Sequence, residues 1–204
     1  MEIKALNENK TVKNIYVKNN DEWIKFEGSG NKFELPLNIK FSNSTSEIID
    51  CTNLNTSNMI DMSSMFDTCS NLKEIINLDT SNVENFDHIF NKCTKLERIN
   101  GDIVLTKAKK IPYFFNDCSS LIDVHITNIG VNPTLSGVSR NNYFDLKPCS
   151  KLNKESILYL INNAYNRANA GYSTLTISLN SKVFSLLSEN EISDALKKGF
   201  VIET

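Results

Sequence analysis

The sequence is poor in most features that betray a chemistry. Two histidines (His88 and His125), one tryptophan, seven glycines and four prolines are spread through 204 residues. No glycine-rich phosphate loop is present, which removes the nucleotide-binding fingerprints. Neither histidine sits in a metal-ligand spacing and no Cys-x-x-Cys pair exists, so the usual zinc patterns are missing too. No stretch approaches the ~18 continuous apolar residues of a membrane span. The opening Met1-Glu-Ile-Lys-Ala-Leu-Asn-Glu-Asn-Lys10 lacks the apolar segment of a secretory signal. The expectation is a soluble product that does not use the signal-peptide route. Net charge is −2, from 22 basic and 24 acidic residues, so no general attraction to nucleic acid or anionic membrane is expected. The run Lys107-Ala-Lys-Lys110 reads as a solvated edge.

What is present is a phrase written three times. Phe66-Asp-Thr-Cys69-Ser-Asn-Leu72-Lys-Glu-Ile75 recurs as Phe90-Asn-Lys-Cys93-Thr-Lys-Leu96-Glu-Arg-Ile99 and as Phe115-Asn-Asp-Cys118-Ser-Ser-Leu121-Ile-Asp-Val124, advancing by 24 and then 25 residues. A fixed period in that range is the signature of a solenoid, in which stacked coils share one core. A second phrase, Leu54-Asn-Thr-Ser-Asn58-Met59, returns 24 residues on as Leu78-Asp-Thr-Ser-Asn82-Val83. Each coil therefore reads as an inward Ile on a short strand, a Thr-Ser-Asn turn held by its own local hydrogen bonds, and a short helix. The helix is predicted from the 3-to-4 spacing of Met62, Met65 and Phe66, repeated in Phe86, Ile89 and Phe90. The third coil departs from this pattern, with Pro112 in the helical approach and no Thr-Ser-Asn turn.

Of the five cysteines, three hold one repeat position, Cys149 echoes it, and Cys51 falls 24 residues before Ile75, at the strand position. An odd total without a secretion signal argues against a disulfide framework. Buried thiols acting as small hydrophobes fit better.

The architecture expected is an α/β solenoid of three to four coils between two different ends. Residues 1–45 carry short β-prone runs around Asn19-Asn20-Asp21, a hairpin that caps the first coil or docks elsewhere. Trp23 is its packing anchor, and an alternating strand follows over 33–41. Residues 46–149 hold the repeats. Residues 150–204 form an α/β cap, with a helix capped by Asn153, a strand at 174–179, a second helix opened by the capping box Ser188–Glu191, and a closing strand from Phe200. The Gly-, Pro- and Asn-containing segment 130–142 is the candidate contact loop, with an inert irregular coil as the alternative.

No catalytic, cofactor or metal residue is assigned. The only trio resembling a nucleophile set is Cys118, His125 and Asp123, and strand alternation should turn the last two outward, away from a buried thiol. Recurrent acids (Asp61, Asp79, Asp87, Asp102 and Asp117) do not follow a calcium β-roll pattern and read as a solvated face.

The stretch Asn55-Thr-Ser-Asn-Met-Ile-Asp-Met-Ser-Ser-Met-Phe-Asp-Thr-Cys-Ser-Asn-Leu72 closely resembles the BspA-like leucine-rich repeat family, over roughly residues 46–126. The tail, from Leu152 through Thr174–Leu179 to Lys198-Gly-Phe200, is similar to a terminal module found with such repeats in phage, prophage and gut-bacterial proteins. Asn14–Phe26 looks like strand runs of phage tail-type proteins. The resemblance implies a surface or virion protein that mediates adhesion, and it brings no catalytic residues. Taken with the few repeats and the missing export signal, it implies a non-enzymatic component of a phage-like particle, made in the cytoplasm and located in the virion. Its partners would be particle proteins or a host receptor of protein or glycan, with oligomerisation possible. The alternative is a bacterial cell-surface adhesion module.

Overall fold

The computed structural model of the chain describes residues 40–52, 54–137 and 141–204 and, as backbone, four strands that precede them. These are β1 (Ile3–Glu8), β2 (Thr11–Asn19), β3 (Glu22–Glu27) and β4 (Phe33–Glu34). The first three pair antiparallel in chain order, so the hairpin around Asn19–Asp21 gains a third strand. The expectation for Trp23 lies outside the described side chains, as does most of the 33–41 run.

From Phe41 to Ser136 the chain advances in stacked rungs. Strands β5 (Ile48–Asp50), β7 (Glu74–Ile76), β8 (Arg98–Val104) and β9 (Asp123–Thr127) form a four-stranded parallel sheet in that order. The short β6 (Leu54–Asn55) pairs with β4. Register aligns Ile49, Ile75, Ile99 and Val124, all buried. Cys51 therefore does not occupy the strand position expected for it. It follows β5, buried, and its amide donates to Ile76 O at 2.8 Å. A second line of parallel bridges runs through Asp61, Asn85, Lys110 and Ser136.

The helix expected in each coil is replaced by turns; among the described residues no helix precedes Lys154. The amides of Met62, Ser64, Phe66 and Thr68 donate across to the carbonyls of Asn85, Asp87, Ile89 and Asn91 at 2.8–2.9 Å. The intervening amides of Met65, Asp67 and Cys69 close four-residue turns at 3.1–3.3 Å. A helix would direct every amide back along itself. Here half of them join the next rung. The geometry requires a left-handed residue every fourth position: Ser64 and Thr68, then His88 and Lys92, then Tyr113 and Asp117, with φ between 52° and 59°. Such φ values are costly for side chains of this size, and recurrence in register shows that they belong to the rung itself. The apolar spacing is real, but its period is the four-residue turn and not the 3.6 of a helix. Pro112 fits because its equivalents, Ser63 and Asp87, send their amides only to side chains, those of Asp61 and Asn85. No inter-rung bond is lost at the proline.

Phe41, Phe66, Phe90 and Phe115 form a stacked column, with centroids 5.5, 5.5 and 5.3 Å apart and planes within 19°. The stack thus begins ahead of residue 46. Cys69, Cys93 and Cys118 each donate from Sγ to the carbonyl of the phenylalanine one rung earlier, Phe41, Phe66 and Phe90, at 3.0–3.1 Å. The phrase Phe-x-x-Cys is therefore read between rungs: one rung's phenylalanine accepts from the next rung's cysteine. Thr56 and Thr80 are buried and bond the following rung as well. Thr56 Oγ1 donates to Asp79 O at 3.0 Å and accepts from Asp79 N at 3.1 Å; Thr80 Oγ1 donates to Val104 O at 3.3 Å and accepts from Val104 N at 2.8 Å. The turn's local bonds come instead from Asn55 and Asp79, which accept from the amides of Ser57 and Ser81.

The C-terminal unit contains β10 (Tyr143–Leu146), α1 (Lys154–Asn162), β11 (Leu175–Leu179), α2 (Ser181–Phe184), α3 (Glu189–Lys197) and β12 (Phe200–Glu203). Its three strands are parallel, with β11 in the middle. Asn153 caps α1 by accepting from Ser156 N, and Ser188 with Glu191 forms the capping box of α3, both as the sequence predicts. The unit meets the rungs through the edge-on contact of Phe144 with Phe114, and through Ser156 Oγ, which accepts from Val124 N at 3.0 Å.

Candidate functional site

Strand alternation divides the four-stranded sheet into a sealed face and a solvent face. Ile49, Ile75, Ile99 and Val124 turn into the core, so their neighbours turn out. Across the outer face, Ile48, Glu74, Arg98 and Asp123 stand in one row by register. The residues before them continue the surface, and Glu47, Ile48, Lys73, Glu74, Glu97 and Arg98 line a shallow cleft of about 160 Å³. Lys73 pairs with Glu47 at 3.0 Å. Ile48 is 54% exposed and Ile122 38%, which is unusual for isoleucine beside a sheet.

At the far edge of the face a β-bulge changes the pattern. Ile99 pairs with Val124, yet the next partner of β9, His125, faces Asp102, so Asn100 and Gly101 are inserted in β8. Gly101 takes φ +109°, open to glycine but strained for other residues. The insertion brings Asp102 to 3.8 Å from His125 Nδ1. Tyr159, from α1, donates its hydroxyl to the Asp102 carboxylate at 3.2 Å and stacks on His125 at 4.1 Å between centroids. Burial, followed by the hydrogen bond and charge of Asp102, pushes the Tyr159 phenol upward. An acid, an imidazole and a phenol thus converge from three elements.

The trio Cys118, His125 and Asp123 is not brought together. Cys118 is committed to Phe90 O inside the core, while Asp123 accepts from Ser156 Oγ at 3.0 Å. Burial pushes the Cys51 thiol up to about 12 and the Cys69 thiol up to about 11, and raises Cys93, Cys118 and Cys149 above their ordinary 9.0 as well. Thiolate chemistry is suppressed at every one of these positions. His88, the other histidine, lies 2.6 Å from the Asp87 carboxylate and against Tyr113 at 4.5 Å. The acids tie rungs together: Asp61 accepts from Asn85, and Asp67 from Asn91. Lys109, of the basic run, pairs with Glu84 at 2.7 Å.

In the segment 130–142, the candidate contact loop, residues 130–137 are anchored from the inside while Pro133 and Thr134 stay exposed. Gly130 and Leu135 are buried, and the segment is held by Arg167, a fully buried arginine. Its Nη1 donates to Gly130 O and Asn132 O and its Nη2 to Pro133 O, all at 2.9 Å, while Nε donates to Ser173 O at 2.8 Å. Burial lowers its pKa, although a guanidinium keeps its charge in any protein environment. A Cβ at Gly130 or Gly199 would come within 2.9 Å of the Arg167 side chain. Arg167 had no signal in the sequence. The bulge did, because a glycine inside a strand pattern marks one, but Asp102 and Tyr159 lie 57 residues apart and nothing local joins them.

Residues 36–136, just under half of the chain, match the family model described as a Mycoplasma protein of unknown function, DUF285. No curated protein and no solved structure matches the chain. Among the described residues no helix is long and apolar enough to cross a membrane.

Proposed function

We propose that this chain is a non-enzymatic binding protein, a short solenoid of the BspA-like leucine-rich-repeat kind whose working surface is the solvent face of the four-stranded sheet. The observation that carries the reading is the contrast between the two faces of β5, β7, β8 and β9. One is sealed by the Ile49–Val124 row, and the other offers an open cleft with two exposed isoleucines and the Asp102–His125–Tyr159 cluster. Aromatic and aliphatic side chains on a rigid sheet, rimmed by charge, are the composition of a contact surface. The fixed register and inter-rung bonds hold them in place before a partner arrives.

The carrier is either a bacterial cell surface or a phage-like particle. The resemblance of the repeats to the BspA-like family, whose members are mainly surface or virion proteins, supports the first. The resemblance of the tail to phage-associated modules keeps the second. A photo-cross-linking residue in place of Ile48 or Ile122, in the source cells, should capture a partner that the same residue at Lys151 does not. Equal capture from all three positions would remove the sheet face from consideration. Mass spectrometry of purified particles, set against protease shaving of intact cells, decides the carrier.

A further inference from the structure

The outer face of the sheet is far more acidic than the rest of the chain. Glu47, Asp50, Glu74, Glu97, Asp102 and Asp123 share it with only Lys73 and Arg98. Six acids against two bases leave −4 on this face, while the whole chain carries −2, so everything else sums to +2. Neutral donors hold four of these carboxylates, Thr52 on Asp50, Asn100 on Glu74, Tyr159 on Asp102 and Ser156 on Asp123, and such bonds fix the charge without cancelling it. Exposed Ile48 and Ile122 flank the acids.

We propose that the sheet face takes a lysine- or arginine-rich extended polypeptide segment laid across the strands. This rests on the reading of the face as the contact surface and adds the chemistry of the partner. Four strands at ~4.8 Å spacing span about 14 Å, the length of four or five extended residues. Lysine and arginine suit such ground because their aliphatic stems cover apolar surface while the charged head reaches a carboxylate. The exposed isoleucines supply that ground. A single metal ion does not fit, since the carboxylates are distributed over four strands and bonded to different neighbours.

The test uses the intact chain and fluorescein-labelled octalysine, octaglutamate and a Gly-Ser octapeptide, followed by anisotropy at low and physiological salt. Octalysine should bind, weaken as salt rises, and lose about tenfold or more in the double variant Glu74→Lys/Glu97→Lys. A control reversal on α3, Glu189→Lys/Asp194→Lys, should leave its affinity unchanged. Ile48→Ser should weaken it by a smaller factor while preserving the salt dependence. Unchanged melting temperatures show that the variants are folded. Absence of octalysine binding, or equal binding to the Glu74/Glu97 variant, overturns the proposal. Should the neutral or acidic peptide bind instead and be blocked by Ile48→Ser, the basic partner falls while the sheet-face reading survives.

Discussion

Between Phe41 and Ser136 the backbone and core bonds between rungs have copies one rung further on, whereas the bonds that tie residues 141–204 to the rungs occur once each. The phenylalanine column, the Sγ-to-carbonyl bonds, the threonine pairs and the crossing amides all repeat with the 24- or 25-residue step. The C-terminal unit is instead joined to the rungs by Arg167, by the Phe144–Phe114 contact, by Ser156 on Val124 and Asp123, and by Tyr159 on Asp102. Inside the unit, Lys154 pairs with Glu191 at 2.9 Å, and Lys198 Nζ donates to the terminal carbonyls of α1, Ile161 O and Asn162 O. Repetition spreads stability over many equivalent small terms. A unique junction concentrates it in a few residues.

Arg167→Met should therefore be the most damaging single change. It leaves four carbonyls, at Gly130, Asn132, Pro133 and Ser173, without their donor. Orphaning the buried Gly130 carbonyl and three partly buried ones, and emptying the buried site of its fork, should cost about 4 kcal/mol, measured by urea denaturation. Arg167→Lys should rescue little, because an ammonium cannot fan out to four acceptors. Full rescue by lysine would mean that the charge matters and the fork does not.

Leu96→Ala in the middle rung should cost about 3 kcal/mol, since the side chain is wholly buried. Leu72→Ala and Leu121→Ala should give closely similar losses, because the three positions are copies. A spread wider than about 2 kcal/mol among them would break the claim that the rungs are equivalent.

The smallest effect is at Glu191. The Ser188 backbone amide, then Lys154, holds its carboxyl down at about 2, below the ordinary 4.5. A carboxyl with a depressed folded pKa stabilises above its unfolded value, and the contribution disappears as pH falls through the folded one. Glu191→Gln should lower the melting temperature slightly at pH 7, and the gap should narrow from about pH 4.5 and close near pH 2. A gap that persists at pH 2 would mean that the side chain acts through packing.

How much was legible beforehand follows the same division. The repeated phrase placed Ile75, Ile99 and Val124 in one inward row, and the Asn153 and Ser188 caps were readable because capping is a local bond between near neighbours. The rung interior reads as helical in the sequence because apolar residues at spacings of three and four do not reveal where the amides point. That depends on left-handed residues such as Thr68 and Lys92, which have no glycine to announce them. Neither the hold of Arg167 on 130–133 nor the convergence of Asp102, His125 and Tyr159 could be seen, because both join distant segments that carry no shared pattern.

The crossing amides have an architectural consequence. A rung offers its follower the same donors and acceptors that it receives from its predecessor, as Phe66 does in stacking on both Phe41 and Phe90. Excising residues 66–89 would set Phe90 against Phe41 and Cys93 beneath the Phe41 carbonyl, with like meeting like at the seam. Length is accordingly a free variable of this design. Lineages can add or delete whole turns by unequal recombination, widening or narrowing the sheet face while both ends stay as they are.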